Sequence, residues 1–443
     1  MRRIAPLLVV CATVVAGTGV TGLYRAAPAH AASQFAIQSE PVDFTPWLLA
    51  STPNQVVREL VPCGRLMYAV GTISNIGQGS HTYHRSNAFS FSQATGVVTS
   101  WNPQVNGQVN SIDFSSDCTT AYLGGDFSRV HGVTAHNLAA VSTRTGRVVR
   151  GFRHNANHEV QTVQFEHGRL FVGGAFTRIN GTARAKLASL NRTTGKVTDY
   201  SRITVTGEYP RTWTRVYNSQ ISHDHQRMLI EGVFTSLAGK PRQQMAVLDF
   251  TRSRLTLDKW TSTEFTRACH ADESFYVRAG AWSPDDTTIY AASTGYKPAS
   301  GTGSRTTQPR SGLCDSVAAF PFRHGAVHHR WINYTGCDSL YGVAATRYAV
   351  YITGHERWAN NSHGCNAPGP GAVPRRGIAA ISPSTGLARA WNPTRALGHG
   401  GDDMTLTRAG LWVASDNWKN GQAQQCGGHP DHGGICFLPY SGS

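Results

Sequence analysis

Residues 121–125 read Ala121-Tyr122-Leu123-Gly124-Gly125, a short apolar run that closes on small residues. This pattern, called the Tyr/Gly run below, occurs seven times in the 443-residue chain. The other copies are Met67-Tyr68-Ala69-Val70-Gly71, Leu170-Phe171-Val172-Gly173-Gly174, Met228-Leu229-Ile230-Glu231-Gly232, Ile289-Tyr290-Ala291-Ala292-Ser293, Val350-Tyr351-Ile352-Thr353-Gly354 and Leu411-Trp412-Val413-Ala414-Ser415. Aligned on their second residues, the runs are 54, 49, 58, 61, 61 and 61 residues apart. This period is longer than a leucine-rich or ankyrin repeat and fits a β-propeller blade.

Each of the first six Tyr/Gly runs is followed by three further strand signals in a fixed order. A second apolar run, such as residues 138–141, leads into a Thr-Gly turn that supplies the positive φ of a tight hairpin. A third strand ends on an aromatic residue, and a fourth alternates as half-buried strands do. No segment has helical periodicity with caps. The sequence therefore predicts an all-β protein, a seven-bladed β-propeller of four-stranded blades.

The two ends of the chain predict how this propeller closes. The seventh unit has two strand signals, whereas Trp47 and residues 56–60 match the third and fourth strands. We expect residues 32–443 to form one domain in which residues 42–62 complete the last blade with residues 410–443. Such a blade would pair sheet edges that otherwise stay open.

Residues 1–31 have the features of a signal peptide. Arg2 and Arg3 precede an apolar stretch over residues 4–22, and Ala29-His30-Ala31 offers a cleavage site. We therefore expect a secreted, extracellular protein without a membrane span. Removal of this segment takes away three arginines and lowers the formal net charge from +15 to +12. This charge suits an anionic partner such as a wall polymer, but the basic residues are scattered, and export disfavours nucleic acid.

Eight cysteines follow the predicted signal peptide, and an even number in an exported chain favours disulfides. They are Cys63, Cys118, Cys269, Cys314, Cys337, Cys365, Cys426 and Cys436. Cys63 and Cys118 stand just before consecutive Tyr/Gly runs, which predicts that they pair across neighbouring blades. Sequential pairing is expected for the other six. A zinc site formed by Cys426, Cys436 and the two histidines between them is the alternative that an oxidising compartment disfavours.

Longer motifs carry a resemblance to a known family. The copies are Gly125-Asp126-Phe127-Ser128-Arg129-Val130-His131-Gly132, Gly174-Ala175-Phe176-Thr177-Arg178-Ile179-Asn180-Gly181 and Gly232-Val233-Phe234-Thr235-Ser236-Leu237-Ala238-Gly239. They resemble the delta-60 repeat family of secreted bacterial β-propellers, and the double glycine gives them a kelch-like look. Tyr334-Thr335-Gly336-Cys337-Asp338, Pro374-Arg375-Arg376-Gly377 and Trp391-Asn392-Pro393 are similar to an actinobacterial branch of that family. The resemblance implies the fold and supplies no catalytic residues.

Candidate binding residues follow if the Tyr/Gly strands line the channel of the propeller. The residues directly after the seven runs then form a ring: Thr72, Asp126, Ala175, Val233, Thr294, His355 and Asp416. Their carboxylates, imidazole and hydroxyls could orient a polar ligand or hold a calcium ion in the channel, and no other cofactor is expected. The alternative is that these groups face channel water.

A second candidate surface lies beside that ring. Arg357, Trp358, Asn417 and Trp418 follow His355 and Asp416 in the sequence. Aromatic faces next to guanidinium and amide donors are typical of sugar-binding surfaces. The alternative is that both tryptophans pack between blades.

The motifs favour binding over catalysis. The sequence has no Gly-x-Ser-x-Gly elbow, no His-Glu-x-x-His and no phosphate-binding glycine loop. We therefore expect a monomeric binding or interaction module whose ligand is a glycan or cell-wall polymer. The alternative is an exported hydrolase or lyase that uses Asp126, His355, Asp416 or Asp402 at the channel mouth. Asp402 and Asp403, beside His399, form a carboxylate pair of the kind that glycosidases use.

Overall fold

The computed structural model of the protein describes residues 36–267, 269, 274–295, 312–395, 400–416, 426–429 and 432–441. Within these ranges the chain contains strands and no helix, so the predicted all-β class is confirmed. No helix of the described residues has the length and apolar character to cross a membrane. The predicted signal peptide, residues 1–31, lies outside the described residues.

The first half of the described chain holds eighteen strands. They are β1 (Trp47–Leu48), β2 (Val56–Cys63), β3 (Leu66–Thr72), β4 (Asn75–Gln78), β5 (His81–His84), β6 (Ala88–Ser92), β7 (Gln108–Phe114), β8 (Thr120–Asp126), β9 (Arg129–Val130), β10 (Val133–Thr134), β11 (Leu138–Ser142), β12 (Val160–Glu166), β13 (Arg169–Gly174), β14 (Arg178–Ile179), β15 (Thr182–Ala183), β16 (Leu187–Asn191), β17 (Val197–Thr198) and β18 (Val205–Thr206).

The remaining described strands follow in the same order. They are β19 (Arg215–Ile221), β20 (Arg227–Val233), β21 (Ser236–Leu237), β22 (Lys240–Pro241), β23 (Met245–Phe250), β24 (Leu255–Leu257), β25 (Tyr276–Trp282), β26 (Thr288–Thr294), β27 (Ser316–Pro321), β28 (Trp331–Tyr334), β29 (Leu340–Ala345), β30 (Val350–Gly354), β31 (Trp358–Ala359), β32 (Val373–Pro374), β33 (Ile378–Ile381), β34 (Gly401–Leu406), β35 (Gly410–Ser415) and β36 (Ile435–Pro439).

Every Tyr/Gly run is the second strand of an antiparallel sheet. These seven repeat sheets have the orders β2-β3-β6, β7-β8-β11, β12-β13-β16-β17, β19-β20-β23-β24, β25-β26-β27-β28, β29-β30-β33 and β34-β35-β36. Single bridges Phe91–Val98, Val141–Val148 and Ile381–Ala388 extend three of the three-stranded sheets after the predicted turn. Short hairpins such as β9–β10 and β14–β15 lie between the second and third strands, and they contain the motifs that resemble the delta-60 repeat.

The first strands of the seven repeat sheets, called the inner strands below, contact one another in sequence. They are β2, β7, β12, β19, β25, β29 and β34, and β34 in turn contacts β2. Apolar clusters fill the spaces between consecutive sheets, and one cluster joins Trp412 and Phe437 of the last sheet to Leu60 and Phe89 of the first. The core is thus divided into similar layers.

The predicted third-strand aromatics pack on the second residues of the Tyr/Gly runs. Ring centroids lie 5.1 Å apart for Tyr68 and Trp101, and 5.8 Å apart for Tyr290 and Trp331. The Trp101 indole N–H also donates to the Ser142 carbonyl in the next sheet, at 3.1 Å. Each such aromatic therefore joins two sheets, because its ring is apolar and its N–H still needs an acceptor.

The four predicted disulfides are confirmed. Their pairs are Cys63–Cys118, Cys269–Cys314, Cys337–Cys365 and Cys426–Cys436. The first joins neighbouring repeat sheets, as the repeat positions of its cysteines predicted. Since Cys426 and Cys436 are bonded to each other, neither thiolate is present to bind zinc as the sequence alternative supposed.

The N-terminal segment meets the last sheet differently from the prediction. Residues 56–60 belong to β2, which pairs with β3 over its whole length and keeps one bridge, Val56–Asp416, to the last sheet. Residues 37–42 lie along β36 instead, where the Gln38 N–H donates to the Pro439 carbonyl at 2.9 Å. The short Gly64-Arg65 turn places β2 beside β3, and sequence periodicity cannot choose between these two neighbours of one strand.

A buried carboxyl group stands in one Tyr/Gly run where others have small residues. Glu231 of β20 occupies the position of Gly124 and Gly173 and is 0% exposed. Its oxygens have no hydrogen-bond partner among the described residues, and burial raises its pKa to about 8. The carboxyl fits because Gly280 lies opposite, where a Cβ would overlap Oε1.

We predict that Glu231→Gln reduces the loss of stability between pH 5 and pH 8. The native pKa of Glu231 lies above its unfolded value, so the native state retains a proton that the unfolded chain releases. This contribution to stability is complete below the unfolded pKa and is lost as the pH rises, by about 1.4 kcal/mol per pH unit. Urea unfolding at several pH values would measure the slope. The exposed Glu208→Gln is the control, and parallel curves for wild type and Glu231→Gln would contradict the prediction.

Candidate functional site

All seven inner strands contain a bulge at the same place. In each pairing with the Tyr/Gly strand the register shifts by one residue, which leaves one extra residue on the inner strand. These bulged residues are Arg58, Asn110, Gln161, Tyr217, Arg278, Tyr341 and Asp402. A bulge bends its strand and redirects a side chain, so the repeat presents one variable residue per sheet.

In five sheets, the last glycine of the Tyr/Gly run allows the inner strand to approach closely beside this bulge. A Cβ on Gly71 would overlap the Val56 carbonyl oxygen, and a Cβ on Gly125 would overlap that of Gln108. The same conflict would arise at Gly174, Gly232 and Gly354. In each case the overlapped carbonyl oxygen belongs to the residue two positions before the bulged residue. Ser293 and Ser415 stand at this place in the other two runs.

The seven bulged residues line one cavity between the inner strands. The cavity has a volume of about 450 Å³ and is also lined by Gln108, Glu159, Arg215 and Tyr276. A deeper part of about 60 Å³ reaches Glu59, Ser111 and Asp403. Its main volume is within the usual range of small-molecule sites, and its wall is mostly polar.

Ion pairs link three of the bulged positions. An Arg58 guanidinium nitrogen lies 2.7 Å from Asp402 Oδ1, and an Arg278 nitrogen lies 3.9 Å from the same oxygen. The Asp402 side chain is 6% exposed. On another part of the wall, Arg215 lies 3.6 Å from Glu159, whose other carboxylate oxygen accepts a hydrogen bond from the Asn110 amide at 2.9 Å. The three arginines thus share two carboxylates.

Aromatic side chains lie beside the arginines of the wall. Tyr217 and Tyr276 stack with centroids 4.5 Å apart, and the Arg215 and Arg278 guanidinium carbons lie 5.2 Å and 5.1 Å from the Tyr217 centroid. Trp213, two residues before Arg215, is 62% exposed, with the Arg215 carbon 5.6 Å from its ring. An exposed indole therefore stands next to a residue that lines the cavity.

Carboxyl groups in the deep part brace neighbouring inner strands. Glu59 accepts a hydrogen bond from the Ile112 N–H at 2.6 Å, and Asp403 accepts one from the Leu60 N–H at 3.3 Å. Burial, followed by the negative charge of Asp403, raises the pKa of Glu59 well above its usual range. Burial also raises the pKa of Asp403 to about 6. Both groups bond backbone donors of adjacent sheets, which is a structural role.

The candidate ring from the sequence lies one strand outside this cavity. Because the Tyr/Gly run is the second strand of each sheet, the residues after it stand beside the inner strands. Asp126 is exposed and lies opposite Gln108 in the ladder, whereas Asp416 is fully buried. His355 is half-buried and packs edge-on against the cavity residue Tyr341, with centroids 5.2 Å apart. None of these three lines the cavity.

The second predicted surface is only partly described. Arg357 binds both carboxylate oxygens of Asp338, at 2.9 Å and 2.6 Å, and its guanidinium carbon lies 4.6 Å from the Trp358 centroid. These contacts hold Arg357 in a local ion pair away from the cavity lining. Asn417, Trp418 and His399 lie outside the described residues. Sugar binding at this surface and a calcium ion in the channel stay predictions.

Asp402 and Asp403 are the predicted candidates that do reach the cavity. The principal residues that sequence reasoning missed are Arg58, Tyr217, Arg278 and Tyr341. A signal for them exists, because each directly follows Val or Leu at the same place in the predicted fourth strand. This pattern predicts cavity residues only when the predicted fourth strand is recognised as the inner strand of the next sheet.

Comparison with known proteins gave no relative: no family model matches the chain, and no curated protein resembles it. The resemblance to the delta-60 repeat family therefore stays a prediction. A function for the chain has to be inferred from the chemistry of the cavity.

We predict that Asp402→Asn lowers the free energy of unfolding by about 1–3 kcal/mol, because it leaves two partly buried guanidinium groups without their anion. Chemical denaturation would measure the change. Asp199→Asn is a matched control, since Asp199 lies 2.7 Å from both Arg184 and Arg202 but is 67% exposed. Asp199→Asn should lower the free energy of unfolding far less than Asp402→Asn does, because water screens an exposed ion pair. Equal losses in the two variants would contradict the assignment.

Proposed function

We propose that the chain is a secreted seven-bladed β-propeller that binds a carbohydrate, a glycan or a segment of cell-wall polymer, in the cavity between its inner strands. The propeller is supported by the contacts that run from each inner strand to the next and from β34 back to β2. It is supported further by the apolar layers between consecutive sheets. Blades whose innermost strand precedes the Tyr/Gly run account for both features.

Export is part of the proposal. The signal-peptide pattern of residues 1–31 supports it, and so do the four disulfides, which persist in oxidising compartments. A secreted binding protein meets wall polymers and extracellular glycans before other large partners. We expect it to act as a monomer.

The observation that carries the ligand class is the exposed indole of Trp213, which lies against the cavity residue Arg215. A tryptophan 62% exposed beside a cavity is a surface on which the apolar C–H face of a sugar can stack. The neighbouring wall offers the amide of Gln161 and the phenol of Tyr341. Such groups donate to and accept from sugar hydroxyls.

The charges of the wall refine the ligand class. Three guanidinium groups face two carboxylates, and the contact from Arg278 to Asp402 is long, at 3.9 Å. Arginine presents a planar set of donors that matches carboxylate, sulfate or phosphate. An acidic carbohydrate, or a wall polymer that carries phosphate, therefore fits the cavity better than a neutral one.

The second candidate is an exported hydrolase or lyase. Its support is the closeness of Asp402, Asp403 and Glu59, two of which have raised pKa values. Binding is favoured because Glu59 and Asp403 bond backbone amides of adjacent strands and Asp402 is paired with Arg58. Turnover of any array glycan by wild type, lost in Asp403→Asn, would favour the enzyme.

We predict that Trp213→Ala weakens glycan binding at least tenfold, because it removes the stacking surface and leaves the cavity intact. A glycan array of uronic-acid, phosphate-bearing and neutral oligosaccharides would identify the probe, and calorimetry would measure its affinity. Tyr348→Ala is the matched control, since Tyr348 is 39% exposed and lies 4.2 Å from the Arg389 guanidinium carbon, away from the cavity.

Two results would contradict this proposal. One is the absence of binding to every class on the array, and the other is an equal affinity for Trp213→Ala and wild type. Preference for neutral over acidic oligosaccharides would show that the arginines do not select the ligand, whereas stacking on Trp213 would still account for sugar binding.

A further inference from the structure

The N-terminal segment and the last repeat sheet enclose a group of metal-binding side chains remote from the cavity. Residues 37–48 lie along this sheet, where the Val42 N–H donates to the Phe437 carbonyl at 3.1 Å and the Leu48 N–H to the Gly433 carbonyl at 2.7 Å. The connection that precedes β36 contains His429 and His432. The disulfide Cys426–Cys436 fixes its two ends.

Asp43, His429 and His432 each turn one ligand atom towards the same point. All three atoms lie within 4.8 Å of one another. Asp43 Oδ1 is 3.1 Å from His429 Nδ1 and 3.9 Å from His432 Nε2. Ligand atoms of a tetrahedral zinc ion with bonds of about 2.0–2.1 Å are about 3.3 Å apart, so small side-chain movements would complete such a site.

A buried hydroxyl group lies against the Nδ1 atom of His432. Thr45 is 0% exposed, and its Oγ1 lies 2.9 Å from His432 Nδ1 and 3.4 Å from the Ile435 carbonyl oxygen. When the hydroxyl donates to this carbonyl, it accepts the Nδ1–H of His432. The neutral ring then carries its lone pair on Nε2, the atom that faces Asp43. A metal-binding histidine is held in this way by its other nitrogen.

A similar arrangement exists on His429. The Glu40 carboxylate lies 3.7 Å from His429 Nε2, on the far side of the ring from the Nδ1 atom that faces Asp43. Glu40 is 74% exposed at its side chain and can move closer. His429 can therefore present Nδ1 to a metal while its Nε2–H points to a carboxylate.

We propose that Asp43, His429 and His432 form a zinc site that joins the N-terminal segment to the last repeat sheet. Two imidazoles and one carboxylate suit Zn²⁺, and three protein ligands leave a fourth position for water. The site differs from the cysteine-containing alternative of the sequence, because both cysteines are held in a disulfide. Zinc would stabilise the fold by linking residues that are distant in sequence.

The test is a calorimetric titration of the oxidised protein with ZnCl₂ at pH 7.5, after a thiol assay has shown that no cysteine is reduced. We expect one equivalent to bind and the melting temperature to rise with zinc. Asp43→Asn and His429→Gln should each weaken binding about tenfold or more and abolish this rise. Both residues are at least partly exposed, so these variants should fold. His81→Ala, at an exposed histidine of β5, is the control and should bind as wild type does.

The pH dependence gives a second test. Binding should weaken strongly between pH 7.5 and pH 5.5, because zinc requires unprotonated imidazoles. The proposal would be overturned if wild type bound no zinc at one equivalent, or if both Asp43→Asn and His429→Gln bound as tightly as wild type. Binding of Ca²⁺ in preference to Zn²⁺ would also overturn it, since calcium selects oxygen ligands.

Discussion

The close approach between the inner strand of each repeat sheet and the glycine that ends its Tyr/Gly run is the constraint on which the site depends. In five sheets a Cβ at this glycine would overlap an inner-strand carbonyl oxygen. This close approach lies next to the bulge, which inserts one residue at the same place in all seven inner strands. Because the backbone is fixed there, the bulged residue can vary without changing the fold. Seven such residues, from Arg58 to Asp402, form the cavity wall.

The cavity wall combines paired charges with buried hydrogen bonds. Asp402 pairs with Arg58, and Glu159 lies between Arg215 and Asn110, so the charged groups are largely compensated within the protein. The carboxyl groups of Glu59 and Asp403 accept hydrogen bonds from backbone amides of adjacent inner strands and so join neighbouring sheets. Such buried polar groups stabilise the fold only while each keeps its partner. The exposed Trp213 contacts Arg215, and Arg215 and Arg278 both lie over Tyr217, which favours an acidic sugar as the proposed ligand.

The two ends of the described chain meet at the last repeat sheet. Residues 37–42 run along β36, and the Trp391 indole N–H donates to the Gln38 carbonyl at 3.0 Å, as Trp101 does to Ser142 elsewhere. For Trp391, the carbonyl that accepts the indole N–H therefore belongs to the N-terminal segment, whereas for Trp101 it belongs to the next repeat sheet. The Cys426–Cys436 disulfide and the proposed zinc ligands lie in this same region.

Much of the architecture could be read from the sequence, because strand periodicity, turn dipeptides and cysteine positions act locally and repeat. The seven runs, the all-β class and the four disulfide pairs were predicted in this way. The site was largely missed, since the choice of inner strand depends on which neighbour pairs with residues 56–63, and an alternating strand has the same pattern in either sheet. The sequence analysis took the second strand of each sheet as the inner one, and this error of one strand gave Asp126 and His355 as candidates instead of Arg58 and Tyr341. Only the tertiary structure decided which side chains converge, because bulges and strand crossings join residues that are hundreds of positions apart.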